Sequence, residues 1–316
     1  MAERCERDTD RNPGGKIRLD AELIAQPTFR LVAAGHRAQV VQLFDRSINL
    51  VADNGTFFSL TLSGIAPGPF SIVVRKDSQQ KLSLARILGR NLPDLKAIAS
   101  EEELRVGRLS VNLSPAKKWE PRLVKGELLR RDSTIAANQI YAYLDRYAPV
   151  DSLPHEFFSD KDSWIGARLR PAWRQLTRAV RNAEPGECVG AAQLAAGVGP
   201  GLTPSGDDFL MGVTLAFWLA LEEPESYIGA SLAGTRGRTG RLSMALLEAA
   251  ARGEAGQHWH VMAQAIADGD ACKTRQATED LLSVGHTSGA DALFGFALAL
   301  QATGPYSAVS AGLVSS

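Results

Sequence analysis

Between Gly197 and Asp208 the chain reads Gly-Val-Gly-Pro-Gly-Leu-Thr-Pro-Ser-Gly-Asp-Asp, and an apolar run from Phe209 to Leu221 follows at once. Glycines without a Cβ let backbone N–H groups approach a ligand closely. The helix expected from the apolar run adds unpaired N–H groups and a positive dipole end at the same place. Gly199, Gly201, Thr203, Ser205 and Gly206 are therefore candidate anion-binding residues. The segment has no Lys, so it is not a nucleotide P-loop, which requires G-x-x-x-x-G-K-[ST]. Asp207 and Asp208 are candidate acids and also candidate oxygen ligands for Mg²⁺, although adjacent carboxylates at a helix start equally complement its dipole.

A second segment, Gly285-His-Thr-Ser-Gly-Ala-Asp291, also opens an apolar run. With one gap at Pro204 the two segments align as Ser205/Ser288, Gly206/Gly289, Asp208/Asp291, Leu210/Leu293 and Gly212/Gly295, each pair 83 residues apart. A purely structural account makes them two capping boxes, with each Ser as N-cap and each Asp reaching back to it. That account leaves Asp207, His286 and the glycine run without a purpose. If instead the two helix starts face one another, they gather Asp207, Asp208, Asp291 and His286 as candidate catalytic groups, with Thr287, Ser288 and Gly289 as further donors. His286 is a candidate general acid or base because imidazole suits either role, and a capping or packing role is the alternative.

The third segment, Thr235-Arg-Gly-Arg-Thr-Gly-Arg-Leu-Ser243, offers Arg236, Arg238, Thr239 and Ser243 to an anion, since guanidinium forks bind carboxylate and phosphate bidentately. A solvated basic turn is the alternative. Arg170, Arg174, Arg178 and Arg181 recur opposite Trp173, Leu176 and Val180 and read as an exposed helix face. His258 and His260 lie two apart in a helical stretch and make a poor chelate. The sequence has neither an H-E-x-x-H or Cys/His metal cluster nor a Gly-x-Ser-x-Gly elbow that would make Ser205 a nucleophile.

These segments need a fold to hold them, and the patterning divides at Ser114-Pro115. From Thr28 to about Leu113 apolar residues come in short β-branched or aromatic runs at Gln39–Phe44, Ser47–Val51, Thr56–Leu62 and Phe70–Val74. Turn residues at Asp53-Asn54-Gly55 and Ala66-Pro67-Gly68-Pro69 separate them, so they read as strands, with Asn54-Gly55 a hairpin signal. Leu82–Leu88 and Arg105–Leu113 extend the sheet, although Leu82–Ile98 also suits a helix. Beyond Pro115 the apolar spacing lengthens to three and four, predicting helices at about 121–147, 163–183, 187–195, 207–222, 239–252, 256–268, 275–284 and 289–302. The expectation is an α+β protein with a loose tail over 1–16, a β-rich N-terminal domain over 17–115 and a larger α-helical C-terminal domain over 116–316 that carries the site. Ser307–Ser316 is expected to pack or fray.

Composition bounds the function classes. At roughly 150 residues per domain, 316 residues make about two domains. Lys and Arg total 35 against 35 Asp and Glu, which removes the global field that a nucleic-acid or anionic-membrane binder uses. Cys5, Cys188 and Cys272 form no C-x-x-C pair and no disulfide framework, which suits a reducing, cytoplasmic location. The charged N-terminus lacks the apolar core of a secretory signal, and the longest apolar stretch, Leu210–Leu221, is 12 residues, too short to span a bilayer.

At Gly199-Pro-Gly-Leu-Thr-Pro-Ser-Gly-Asp-Asp-Phe-Leu210, Thr239-x-x-Leu-Ser243 and Gly285-His-Thr-Ser-Gly-x-Asp291, the chain resembles the AllH-type subunit of oxamate carbamoyltransferase, a bacterial family formerly of unknown function. The resemblance extends to Gly35–Leu62, where Phe44, Asn49 and Leu50 fall as in the family's opening strands. It implies a part in anaerobic allantoin breakdown, a purine-catabolic route in which oxalurate and phosphate give oxamate and carbamoyl phosphate. It also implies two other subunits, one resembling acyl-CoA synthetases. Carried onto this chain, the Gly199–Gly206 loop would meet charge growing on the carbamoyl oxygen, Arg236 and Arg238 would hold phosphate, and His286 would protonate the departing nitrogen. Aspartate and ornithine carbamoyltransferases use a Ser-x-Arg-Thr phosphate motif, and Arg236-Gly-Arg-Thr239 lacks its serine, so another fold is expected. Two other readings remain: a non-catalytic substrate-binding or scaffold subunit, and a stand-alone Mg²⁺-assisted hydrolase or transferase acting on a small carboxylate.

Overall fold

The computed structural model describes residues 15–75, 82–89, 92, 95–129, 131–159 and 164–304. The chain forms two compact units, Met1–Glu120 and Pro121–Ser316. The expected tail over 1–16, apart from its last two residues, and the segment Ser307–Ser316 lie outside the described residues.

The first unit is a β-barrel. Its strands are β1 (Ile17–Ala25), β2 (Arg37–Leu43), β3 (Ser47–Ala52), β4 (Phe57–Leu62), β5 (Ser71–Val74), β6 (Lys96–Ala99), β7 (Glu103–Val106), β8 (Leu109–Asn112) and β9 (Lys117–Trp119). They run in the order β5-β4-β3-β2-β6-β7-β8-β1-β9, and a further β5–β1 pairing closes the sheet. Closure removes the edges that would otherwise invite another chain to pair. β1 makes it possible by changing partners: Ile17–Asp20 pair with β8, Leu23–Ala25 pair with β9, and a register shift between Ala21 and Leu23 interrupts its antiparallel run along β5. The hairpin at Asn54-Gly55 joins β3 to β4, with Gly55 at φ 85°.

Two short helices interrupt the strands, α1 (Gln26–Ala33) and α2 (Leu84–Leu88). The strand-rich reading from Thr28 is corrected at α1: Pro27 sits in its first turn, and Thr28, Leu31 and Val32 bury one side, a helical spacing. β9 shows that the barrel runs on past the Ser114-Pro115 composition shift.

The second unit is helical: α3 (Ser133–Tyr147), α4 (Leu153–Phe158), α5 (Trp164–Arg181), α6 (Glu187–Ala195), α7 (Ser205–Ala220), α8 (Glu225–Thr235), α9 (Arg241–Ala251), α10 (Gln257–Asp268), α11 (Ala271–Leu282) and α12 (Ser288–Thr303). α7 and α12 lie at its centre: each buries 13 of its 16 residues, so both are apolar almost all round. The helix expected from residue 121 starts only at Ser133. Before it the chain makes turns, with Glu127 donating to Val124 O and Leu129 to Gly126 O, and ties itself to other elements through Leu123 to Gly253 O after α9, Gly126 to Trp218 O and Leu128 to Leu219 O in α7. α4 and α8 have no counterpart among the expected helices. The expected basic face of α5 is present, with Arg174, Arg178 and Arg181 exposed opposite buried Trp173 and Leu176. Among the described residues, no helix is long and apolar enough to cross a membrane.

Candidate functional site

α7 and α12 approach until their backbones touch, and Gly212 and Gly295 permit it. A Cβ on Gly212 would stand 1.9 Å from Ala292 O, and one on Gly295 would stand 2.1 Å from Phe209 O. The contact is reciprocal, because Phe209 and Ala292 are themselves 83 residues apart. The same relation governs the helix starts. Gly206 donates its amide to Val198 O at 2.8 Å and presses on Ala195 O at the end of α6, while Gly289 donates to Val284 O at 3.1 Å and presses on Leu281 O at the end of α11. A helix, a glycine loop and a second helix thus occur twice, facing each other across a local pseudo-twofold axis.

The serines and aspartates cross between the halves. Ser288 donates to the Asp208 carboxylate, Ser205 donates to the Asp291 carboxylate, and the Thr203 and Ser288 hydroxyls lie 2.9 Å apart. The capping-box account does not describe these bonds, since the N-caps are Pro204 and Thr287 and neither makes a side-chain cap bond. Asp291 additionally accepts the Leu153 amide at 2.7 Å. The remaining oxygen, Oδ2, of both Asp208 and Asp291 is buried without a partner. Burial pushes the Asp208 carboxyl up to about 8, against the donated Ser288 hydrogen bond and with added repulsion from Asp291. Burial likewise raises Asp291, to about 6, against the Leu153 amide. Burial thus pushes both carboxyls toward the protonated form, Asp208 further than Asp291.

Asp207 behaves differently from its neighbour. One of its oxygens accepts the Gly197 amide at 2.8 Å and the other accepts the Thr239 hydroxyl. Its carboxylate therefore ties the glycine loop to the α8–α9 turn and shares no ligand set with Asp208. Ser243 reinforces that tie by donating to Leu202 O at 3.4 Å. Among the described residues, no cluster of three or more His, Cys, Asp or Glu has metal-holding geometry. We expect Thr239→Val to lower stability by about 1–3 kcal/mol, because a buried carboxylate oxygen loses its donor. A urea midpoint unchanged from the parent would contradict that role.

The loop between these ties explains the alternating glycines. Gly197, Gly199 and Gly201 have φ of 73°, 118° and 94°, and a Cβ on Gly199 would stand 2.7 Å from Ser205 N. The amides of Gly199, Gly201, Leu202 and Thr203 donate to no backbone carbonyl among the described residues. Arg236 and Arg238 are exposed at the turn whose Arg238 carbonyl packs against Gly197, and neither forms an ion pair with a described residue.

Most of the expected site residues thus converge: Gly199, Thr203, Ser205, Gly206, Asp207, Asp208, Thr239, Ser243, Ser288, Gly289 and Asp291 are joined by the contacts above, with Thr287 donating to Asp291, while Gly201 sits in the same loop with no atom within 4 Å of an added Cβ. His286 does not join them. Its ring is 83% exposed, with Asp151 at 3.9 Å. The residue that sequence reasoning missed is Leu153, whose amide reaches Asp291 from the start of α4. Ser152 followed by Pro154 in the first turn was the available signal for that helix.

Residues 195–300 match the family described as oxamate carbamoyltransferase subunit AllH, and residues 16–118 match the AllH family N-terminal domain. No solved structure matches the chain. The first match spans both glycine loops and both central helices, and the second spans the barrel from β1 into β9. With both matches in one chain and covering most of it, this chain belongs to the AllH family, named for a subunit of oxamate carbamoyltransferase.

Proposed function

We propose that this chain is a site-bearing subunit of the complex that converts oxalurate and phosphate to oxamate and carbamoyl phosphate in allantoin breakdown, working with two other subunits, one similar to acyl-CoA synthetases. The observation that carries the reading is the crossed pair of buried carboxyls, Asp208 and Asp291, each with one unpartnered oxygen beside a loop of unpaired amides.

The chemistry needs one acid and one base. A phosphate oxygen attacks the carbamoyl carbon, the bond from that carbon to the oxamate nitrogen breaks, and phosphate's proton must end on that nitrogen. Neutral Asp208 supplies a proton to the nitrogen and ionised Asp291 takes one from phosphate, so the pair returns to one shared proton after each turnover. The half-buried Thr203 and Ser288 hydroxyls connect Asp208 to the loop, and the Gly199, Gly201, Leu202 and Thr203 amides face the growing oxyanion. Arg236 and Arg238 hold phosphate from the adjoining turn. His286 is set aside as the acid because it faces solvent away from the pair.

The test is phosphate-dependent release of oxamate from oxalurate by the chain alone and by the reconstituted complex, with activity expected only in the complex. Arg236→Ala and Arg238→Ala are each expected to raise the phosphate KM about tenfold or more, with oxalurate KM little changed. An unchanged phosphate KM removes the arginines from the site. Burial of both carboxyls is the one observation that favours a scaffold role. That reading requires assembly, and not the chemical step, to fail when Asp208 is altered. Activity of the isolated chain without phosphate would support a hydrolase instead.

A further inference from the structure

A groove away from the carboxyl pair runs along the outer face of α3. One cavity of about 560 Å³ lies between α3 and α11 and is lined by Gln139, Tyr143, Arg146, Tyr147 and Arg275. A second, of about 230 Å³, continues it past the shared residues Gln139 and Ala271 to Ile135 and Arg131. Ile135, Gln139, Tyr143 and Tyr147 recur every fourth residue of α3 and form one helical stripe along the floor, with Arg131 just before the helix at its N-terminal end. The chain leaves this stripe uncovered among the described residues: Ile135 is 63% exposed and Tyr147 52%.

The charges on the groove are unequally answered. Arg275 pairs with Glu279 at 3.6 Å, and Glu279 also meets the Tyr143 hydroxyl. Arg131 and Arg146 form no ion pair with a described residue, and the Arg146 guanidinium lies over the Tyr147 ring at 5.4 Å. α3 has 15 residues, about 22 Å along its axis, so two unanswered cations mark the two ends of an apolar and aromatic trough about four turns long. Tyrosine and arginine are the side chains that most often anchor protein partners, and a helix-walled trough receives a helix.

We propose that the α3–α11 groove docks an amphipathic helix of another subunit of the complex, its apolar face on Ile135, Tyr143 and Tyr147 and its carboxylates on Arg131 and Arg146. The proposal rests on the chain being a subunit and not on the chemistry assigned to Asp208.

The experiment reconstitutes the complex from its separate subunits and measures assembly by light scattering after size exclusion and by titration. Tyr147→Asp and Arg146→Glu are each expected to weaken assembly about 30-fold or more, with melting of the isolated chain lowered only by the loss of the exposed Arg146–Tyr147 and Tyr143–Tyr147 contacts. Raising salt should weaken the parent complex more than the Arg146→Glu complex. Unchanged assembly by both variants overturns the proposal, as does failure of the parent chain to assemble. A dimer of this chain that dissociates with Tyr147→Asp, while the heteromeric complex stays intact, assigns the groove to a second copy and overturns it too. A melting temperature lowered equally by Tyr147→Asp and by deletion of residues 305–316, with assembly intact, assigns the groove to this chain's own C-terminal segment and likewise overturns the proposal. Normal assembly by Asp208→Asn keeps this result distinct from failure of the proposed chemistry.

Discussion

Asp208→Asn is expected to remove about 10²–10⁴-fold of turnover from the assembled complex and, above pH 8, to make the isolated chain more stable. The two effects have one origin. The folded Asp208 carboxyl titrates near 8 against an ordinary value of 3.8, so between those values the native state holds a proton that the unfolded state has released. Stability therefore falls as pH rises through that window and levels off above it. Ionising this buried group therefore withholds stability across the whole window, most of it from the loss of hydration on burial. Asn has the same shape and cannot ionise, and its carbonyl oxygen still accepts from Ser288. The variant should consequently keep only the decline that Asp291 imposes up to about pH 6 and be nearly independent of pH above that, where the parent continues to decline toward 8. Urea melts at pH 6 and pH 9 check the first half, and oxamate release by the reconstituted complex checks the second. A variant that is less stable at pH 9 and fully active would mean that Asp208 serves packing alone.

Two short segments 83 residues apart pointed to the candidate site, because Gly, Ser and Asp at helix starts have few other reasons to recur with identical spacing. The strands β2 to β5 were legible for a similar local reason: β-branched runs between Asn-Gly and Pro-Gly turns leave one economical conformation. Sequence reasoning could not say whether Ser205 bonds Asp208 within its own helix or Asp291 across the axis. Both arrangements use the same residues at the same spacing, and only tertiary packing chooses. Asp207 was misleading for the opposite reason: adjacency to Asp208 suggested a shared task, yet consecutive helical positions point about 100° apart, which carries Asp207 toward Gly197 and Thr239. α8 was hidden by its own composition, with Gly229, Gly234 and two serines weakening the helical signal. Gly234 is there because a Cβ would stand 2.4 Å from Val189 O in α6. β1 was legible but passed over, since Ile17-Arg-Leu-Asp-Ala-Glu-Leu23 alternates apolar and polar residues as a strand does, whereas β9, Lys117-Lys-Trp119, is too short to carry a pattern of its own.

Gly212→Ala and Gly295→Ala should be among the most damaging single-methyl changes in the helical unit, and they should do nearly equal harm. Each added Cβ would lie about 2 Å from a backbone carbonyl oxygen of the facing helix, where neither atom can move without its helix. Overpacking in a core that can adjust costs about 1–3 kcal/mol. Here α7 and α12 must part along their whole contact, and since each is buried nearly all round, every neighbour loses packing as well. A loss of about 4 kcal/mol or more is expected, lowering the melting temperature by on the order of 10 °C. The reciprocal geometry adds a sharper expectation. Once one Cβ has forced the helices apart, the second finds space already made, so the double variant should lose clearly less than the two single losses taken together. Gly229→Ala on α8 is the control, because no atom lies within 4 Å of its added Cβ, and it should stabilise by about 0.5–1 kcal/mol. Parting the helices also separates Ser288 from Asp208 and admits water, so the Asp208 carboxyl should fall back toward the ordinary carboxylate range in Gly212→Ala. Carboxyl chemical shifts followed across pH can register that fall at a temperature where the variant is still folded. An Asp208 that still titrates near 8 after the helices have moved would place the cause of its shift outside the α7–α12 contact, and with it the basis for treating the two carboxyls as one acid–base pair.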